Sequence, residues 1–197
     1  MKLMWNKRYA SDEYIYGIHP NIFFKENIKD TKPGKILLPG EGEGRNAIYA
    51  AHLAWDVYAF DYSSQAKDKA IRLSEKNKVN IRYSVHSMIE AKYERYSFDM
   101  LAIIYAHELN RSKSHKHLLK FIKPGGTVIL EAFSKNQLGN NSGGPKDINM
   151  LYSISELKED FAQLDNLDIW EEEIVLTEGM LHKGKASVIR LIGTIPY

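Results

Sequence analysis

Three alternating glycines, set between a short apolar run and an alanine-rich segment, constrain this chain more than any other feature. Lys35 to Leu38 reads as a strand, Gly40-Glu-Gly-Glu-Gly44 as a turn, and Arg45 to Leu53 as a helix. Glycine takes positive φ freely and leaves no Cβ between main chain and ligand, so such a turn brings bare backbone to a crevice. The N–H groups that open the helix then face whatever occupies that crevice, and favour an anionic group there. A second apolar run, Asp56 to Phe60, leads to Asp61, 19 residues after Gly42. An acid at the tip of the neighbouring strand grips ribose hydroxyls in nucleoside-binding βαβ units. The segment is read as such a unit. The alternatives are a glycine turn without a ligand and a helix-capping role for Asp61.

The stretch Gly42-Glu-Gly-Arg-Asn-Ala47 also fits the dinucleotide pattern, with Ala in its last place. Glu41 and Glu43 argue against it. A pyrophosphate on this turn would face two acids, and like charges a few ångströms apart cost on the order of 1 kcal/mol or more. S-adenosylmethionine carries no phosphate. Its sulfonium and α-ammonium are cationic, and its single carboxylate suits the helix N-terminus. A small NAD-binding protein is the competing reading, and a non-catalytic nucleoside-binding module of the same fold is another.

On these residues the chain resembles the class I S-adenosylmethionine-dependent methyltransferases, over residues 35–195. Within them it is most similar to the tellurite-resistance (TehB-like) and thiopurine methyltransferase branch. The resemblance implies transfer of a methyl group to a small acceptor: a thiol, or a chalcogen oxyanion such as tellurite. It also implies that Gly40, Glu41, Gly42, Glu43, Gly44, Asn46, Asp61, Tyr62, Ser87, Met88 and Tyr105 surround the cofactor. Leu38 stands where the family turn usually opens with an acid, so the ammonium contact is expected to pass to Glu41 or Glu43. His86 and Ser87 replace the acid that commonly holds the adenine amino group. His182, Lys183 and Arg190 match a family His, basic residue and Arg, a cationic cluster suited to a small oxyanion or acidic acceptor. His182 and His107 are the catalytic candidates, since a neutral imidazole can take a proton from a thiol or hydroxyl. A hydrogen-bonded structural His107 and an exposed turn around His182 are the plainer alternatives. Phe133, Lys183 and Arg190 are assigned to the acceptor side.

Composition bounds the rest. The 197 residues carry a formal net charge of +2, too near balance to favour a nucleic-acid partner. There is no cysteine, which removes disulfides and thiolate chemistry. No apolar run reaches the length of a membrane span, and the first residues lack the apolar core of a secretory signal, so a cytoplasmic enzyme is expected. No metal site is expected, because His115 and His117 point to different sides of a helix. One domain over residues 1–197 is expected. Within it, residues 1–30 form an aromatic-rich lid or cap whose Tyr9, Tyr14 and Tyr16 either meet cofactor or acceptor or anchor the segment on the sheet, and residues 35–195 form the core.

Other strands are expected at Ile81 to Val85, Phe98 to Tyr105, Thr127 to Phe133, Asp168 to Leu176 and Ala186 to Thr194. Helices are expected at Asn21 to Asn27, Gln65 to Asn77 behind a Ser63 or Ser64 cap, Ser112 to Ile122, and from Ser155 onward. Gln137 to Pro145 demands a loop, long enough to be a lid. Alternation of strand and helix followed by a hairpin predicts a doubly wound, mostly parallel seven-stranded α/β sheet, Rossmann-like, with an antiparallel C-terminal hairpin.

Overall fold

A seven-stranded sheet organises the computed structural model, which describes residues 2–197. Met1, the first residue of the expected lid segment, lies outside them. The strands are β1 (Lys35–Pro39), β2 (Asp56–Asp61), β3 (Arg82–Val85), β4 (Phe98–Ile104), β5 (Ile122–Phe133), β6 (Asp165–Glu178) and β7 (His182–Thr194). Their order across the sheet is β3-β2-β1-β4-β5-β7-β6. The first five pair in parallel, and β7 inserts antiparallel between β5 and β6. This is the expected doubly wound plan. Strands are added outward on one side of β1 as β2 and β3 and on the other as β4 and β5, and that reversal of strand order opens a crevice beyond the carboxyl ends of β1 and β4.

Alternation along β1 and β4 supplies both faces of the sheet, as successive strand side chains point to opposite sides. Leu37, Leu101 and Ile103 enter one apolar layer with Phe98, Tyr152 and Phe161. Ile36, Leu38, Met100 and Ala102 enter the other with Phe24, Ile28 and Trp55. The helices that cover these faces are α1 (Lys2–Arg8), α2 (Ile22–Ile28), α3 (Arg45–His52), α4 (Ser64–Asn77), α5 (Arg111–Leu119) and α6 (Ile154–Asp160). No helix among the described residues is long and apolar enough to cross a membrane.

Three local expectations need correcting. No helix was expected before Asn21, yet α1 forms there, held to the start of α4 by Ser63 Oγ, which donates to Asn6 Oδ1 (2.6 Å), while Trp5 stacks on the nearby Tyr9 at 5.5 Å. A seven-residue helix leaves no periodic apolar stripe to read. The helix expected over Ser112 to Ile122 stops at Leu119, and Pro124, Gly125 and Gly126 lie inside β5. There Gly125 N–H donates to the Ile195 carbonyl (2.8 Å), and Gly126 passes so close that a Cβ would meet an Ile122 methyl at 2.6 Å. The last helix is capped by Ser153, not opened by Ser155. Ser153 Oγ accepts from Glu156 N–H while the Glu156 carboxylate accepts from Ser153 N–H, a reciprocal capping box.

Replacing Ser153 with Ala is expected to lower unfolding free energy by about 1 kcal/mol. Ser155→Ala, which removes an exposed hydroxyl contact to Ser153 Oγ (3.1 Å) but leaves both bonds of the capping box, is expected to change it by under ~0.5 kcal/mol. Urea denaturation of both variants reads the difference.

Candidate active site

Gly40, Gly42 and Gly44 all take positive φ, at 62°, 62° and 91°, and bend the chain from β1 into α3. A Cβ on Gly40 would lie 2.6 Å from Ala106 Cβ, and one on Gly42 2.8 Å from the Tyr9 hydroxyl. The two acids between these glycines turn to different partners. Glu41 reaches forward onto α3, where Oε1 accepts from Asn46 N–H (2.8 Å) and Ala47 N–H (2.7 Å) and Oε2 from Asn46 Nδ2 (3.3 Å). The expectation that this helix end receives an incoming carboxylate is therefore corrected: a carboxylate of the chain already occupies it. Burial pushes the Glu41 carboxyl up to about 7 in spite of these bonds. Glu43 pairs with Lys69 at 2.5 Å, both side chains almost fully buried, and accepts from Tyr16 N–H at 3.3 Å. Lys69 also donates to the carbonyls of Ser11 (2.8 Å) and Glu13 (2.5 Å), and so pins the N-terminal segment over the turn.

Asp61, at the tip of β2, accepts from Gly42 N–H (3.1 Å) and Ser63 N–H (2.9 Å). It makes no ion pair among the described residues, and burial raises its carboxyl to about 6. It borders a cavity of about 390 Å³ at the switch point of the sheet. The glycine turn, Tyr62 and Met88 also line that cavity. Tyr105, Phe133 and His182 line it as well, while Trp5, Tyr9 and Tyr16 belong to the N-terminal cover.

The two candidate histidines differ sharply. His107 Nδ1 lies 2.7 Å from the Met150 carbonyl and Nε2 accepts from Phe133 N–H at 3.0 Å. Both nitrogens are engaged by main chain, which fixes the neutral Nδ1–H form, and desolvation lowers its pKa to about 4. His107 is thus corrected from a catalytic candidate to a brace between β4, β5 and the loop at Met150. His182 Nδ1 faces Glu178 Oε2 at 3.4 Å, and Nε2 has no protein partner among the described residues. Burial lowers its pKa, partly offset by Glu178.

A family model described as "Tellurite resistance protein TehB" matches residues 3–191. The chain belongs to the TehB family. It is 26% identical over 181 residues to the "Probable S-adenosyl-L-methionine-dependent methyltransferase TehB" of Haemophilus influenzae, covering 89% of this chain and 59% of that protein. The chain therefore spans under two thirds of that relative's length. Among solved structures, TehB from Haemophilus influenzae superposes with a TM-score of 0.70 at 17% identity, covering 97% of this chain and 65% of the other. Haemonchus contortus phosphoethanolamine N-methyltransferase 2, in complex with S-adenosyl-L-methionine, superposes at 0.72 and 15%, covering 99% and 57%. At these identities the structural likeness speaks for the fold.

Several family-implied residues stand elsewhere in this TehB-family chain. Ser87 does not line the cavity; its N–H and hydroxyl both donate to Glu90 Oε2, at 2.9 and 2.6 Å. His86 packs on Phe60 at 4.2 Å between centroids, also away from the cavity. Tyr14 donates to the Lys69 carbonyl (3.1 Å), its ring 5.0 Å from the Lys69 ammonium. Lys183 is exposed and outside the lining. Arg190 is bound to Glu131 (2.7 Å) and Glu172 (2.5 Å) and lies over the Phe23 ring. The expected cationic cluster of His182, Lys183 and Arg190 is therefore absent among the described residues: strand alternation turns Lys183 to the face opposite His182, and Arg190, eight residues farther along β7, is taken up by Glu131 and Glu172. Conversely, Arg8, Arg45, Lys146 and Asp147 line the cavity without having been singled out, beside Trp5 of the N-terminal segment and Gly144 and Pro145 of the expected loop. Arg45 pairs with Glu178 at 2.9 Å. Its position one residue after Gly44 was the available signal.

Two outcomes follow for this geometry. Long-range ¹⁵N–¹H spectra are expected to show His107 neutral, as the Nδ1–H tautomer, from pH 5.5 to 8, because its pKa of about 4 leaves it uncharged above that value. Glu41→Ala is expected to cost about 1–2 kcal/mol in urea unfolding through the lost helix cap, and Glu41→Gln less, since one acceptor oxygen remains.

Proposed function

We propose that the chain is an S-adenosylmethionine-dependent methyltransferase acting on a small acceptor, either a thiol or a chalcogen oxyanion such as tellurite. The observation that carries this reading is the meeting, in one cavity, of the glycine turn, Asp61 and an aromatic cover. The cavity's volume lies in the range of small-molecule sites. Glu41, seated on the first N–H groups of α3, occupies the place a pyrophosphate would need, which disfavours NAD. The residues suit a cationic nucleoside. Asp61 would hold the ribose hydroxyls. Glu41, with three of about four acceptor positions in use, keeps one for the α-ammonium.

S-adenosylmethionine supplies an activated methyl group on a cationic sulfur. The chain supplies position and exclusion of water. Tyr9 closes against Gly42, and Phe133 and Tyr105 wall the opposite side, their rings stacked at 4.6 Å. Alignment of donor and acceptor in such a site can lower the barrier by about 7–11 kcal/mol, so no acid–base pair beyond His182 is required. The N-terminal residues serve as a lid over the core, fastened through Lys69.

Asp61→Asn is expected to weaken S-adenosylmethionine binding about 10- to 100-fold by calorimetry, the loss of a charged hydrogen bond worth about 1.5–3 kcal/mol. Binding is also expected to release protons. Asp61 and Glu41 titrate near 6 and 7 in the free chain, and an arriving cation lowers both. Titrations in buffers of different ionisation enthalpy should therefore show proton release at pH 6.5 and almost none at pH 8.5, where both are already ionised. Binding of NAD alone would defeat the reading.

A further inference from the structure

Four rings meet at the far end of the cavity. Measured between centroids, His182 lies 4.5 Å from Tyr16, 4.8 Å from Tyr105 and 5.3 Å from Phe133. The loop before Pro145 closes on them through two glycines with positive φ, Gly143 at 119° and Gly144 at 84°. A Cβ on Gly143 would stand 2.7 Å from His182 Cδ2, and one on Gly144 2.9 Å from the Phe133 ring. Main chain thus lies flat against both rings, an approach only glycine permits.

The buried or half-buried cations around this recess are already paired among the described residues. Arg45 is paired with Glu178, Arg190 with Glu131 and Glu172, and Lys183 is outside the lining. Two further lining cations, Arg8 and Lys146, have no anionic partner among the described residues; both are exposed, bonded to the neutral Tyr16 hydroxyl and Asn140 carbonyl, and screened by water. A small oxyanion entering here would leave its water for aromatic faces, guanidiniums already paired and two exposed, water-screened cations, a poor exchange for a compact ion. A soft, uncharged sulfur or selenium meets the opposite conditions, because such atoms pack well against aromatic rings.

We propose that this recess takes a neutral, protic, soft acceptor, a thiol or selenol bearing an apolar substituent, and that His182, positioned by Glu178, receives its proton. The inference rests on the methyl-transfer reading above and narrows its acceptor. The acceptor's S–H or Se–H bond breaks and its proton passes to His182 Nε2. The chalcogen lone pair forms the new bond to the methyl carbon, as the bond from that carbon to the donor's sulfonium breaks and leaves a neutral thioether. The proton then leaves His182 for solvent. Glu178 holds the ring from Nδ1, so that Nε2 carries the free lone pair. The groups set around His182 are Glu178, Arg45 and Glu131 among the charges, with the Tyr16 and Tyr105 rings against it.

Calorimetry with S-adenosylmethionine comes first: silence there removes the methyl-transfer reading and this inference with it. With S-adenosylhomocysteine bound to the full chain, an alkyl thiol is expected to bind at least about tenfold more tightly than tellurite or selenite, a gap of about 1.4 kcal/mol. Oxyanion binding or kcat/KM equal to or above the thiol's overturns the assignment. For an alkyl thiol with a pKa of about 8.5, wild-type kcat/KM is expected to be flat across neutral pH. His182→Asn should lower it by about 10²- to 10⁴-fold and make it climb about tenfold per pH unit toward the thiol's own pKa. A uniform lowering without that slope would reduce His182 to a wall of the recess. Glu178→Gln should move the acidic limb of the wild-type profile to lower pH, since the carboxylate raises the His182 pKa. An unmoved limb removes Glu178 from the mechanism.

Discussion

The cavity depends on one buried ion pair. Glu43 and Lys69 meet at 2.5 Å with almost no exposure, and each reaches a second element. Glu43 belongs to the glycine turn and accepts from Tyr16 N–H, while Lys69 belongs to α4 and holds the carbonyls of Ser11 and Glu13. Turn, helix and N-terminal cover are thereby tied at a single point. Removing one member of such a pair strands a charge out of water, typically at a cost of about 3–5 kcal/mol. The pair is thus an all-or-none fastening, and it brings Tyr9 and Tyr16 over a turn that is distant from them in sequence.

A second polar network lies under the other side of the cavity. Asn21 donates to both Glu131 (2.6 Å) and Glu178 (3.1 Å), Arg190 binds Glu131, and Arg45 binds Glu178. Asn21 also caps α2 through its side-chain oxygen, so the network links that helix to the central strands. Buried carboxylates and guanidiniums satisfy one another here, and the cavity wall beside them is left close to neutral. Charges that look available in a linear sequence are thereby committed to framework. What the cavity keeps available is Asp61, part of Glu41, the exposed Arg8 and Lys146, and aromatic faces.

Much of the frame was legible before any coordinates. The strands from Lys35 to Phe133 announce themselves as short apolar runs between breakers, and Ser63 caps α4 as its position suggested. The turn with Asp61 was legible too, because positive φ demands glycine and spacing carries an acid to the neighbouring strand tip. Side-chain destinations were not. Glu41 and Glu43 look alike in sequence; one caps α3 and the other neutralises a lysine from the next helix. His107 and His182 look alike as lone histidines, yet one is fixed by two backbone partners and the other keeps a free nitrogen.

The sequence by itself determined the order of strands and helices, the bend at Gly40–Gly44 and the acid set against it, since these follow from local backbone freedom and short-range periodicity. Tertiary structure decided which charges remain for a ligand. Pairings such as Arg190 with Glu131, Arg45 with Glu178 and Lys69 with Glu43 join residues far apart in the chain. Only folding brings them within reach, and the high cost of leaving a buried charge alone then fixes each choice.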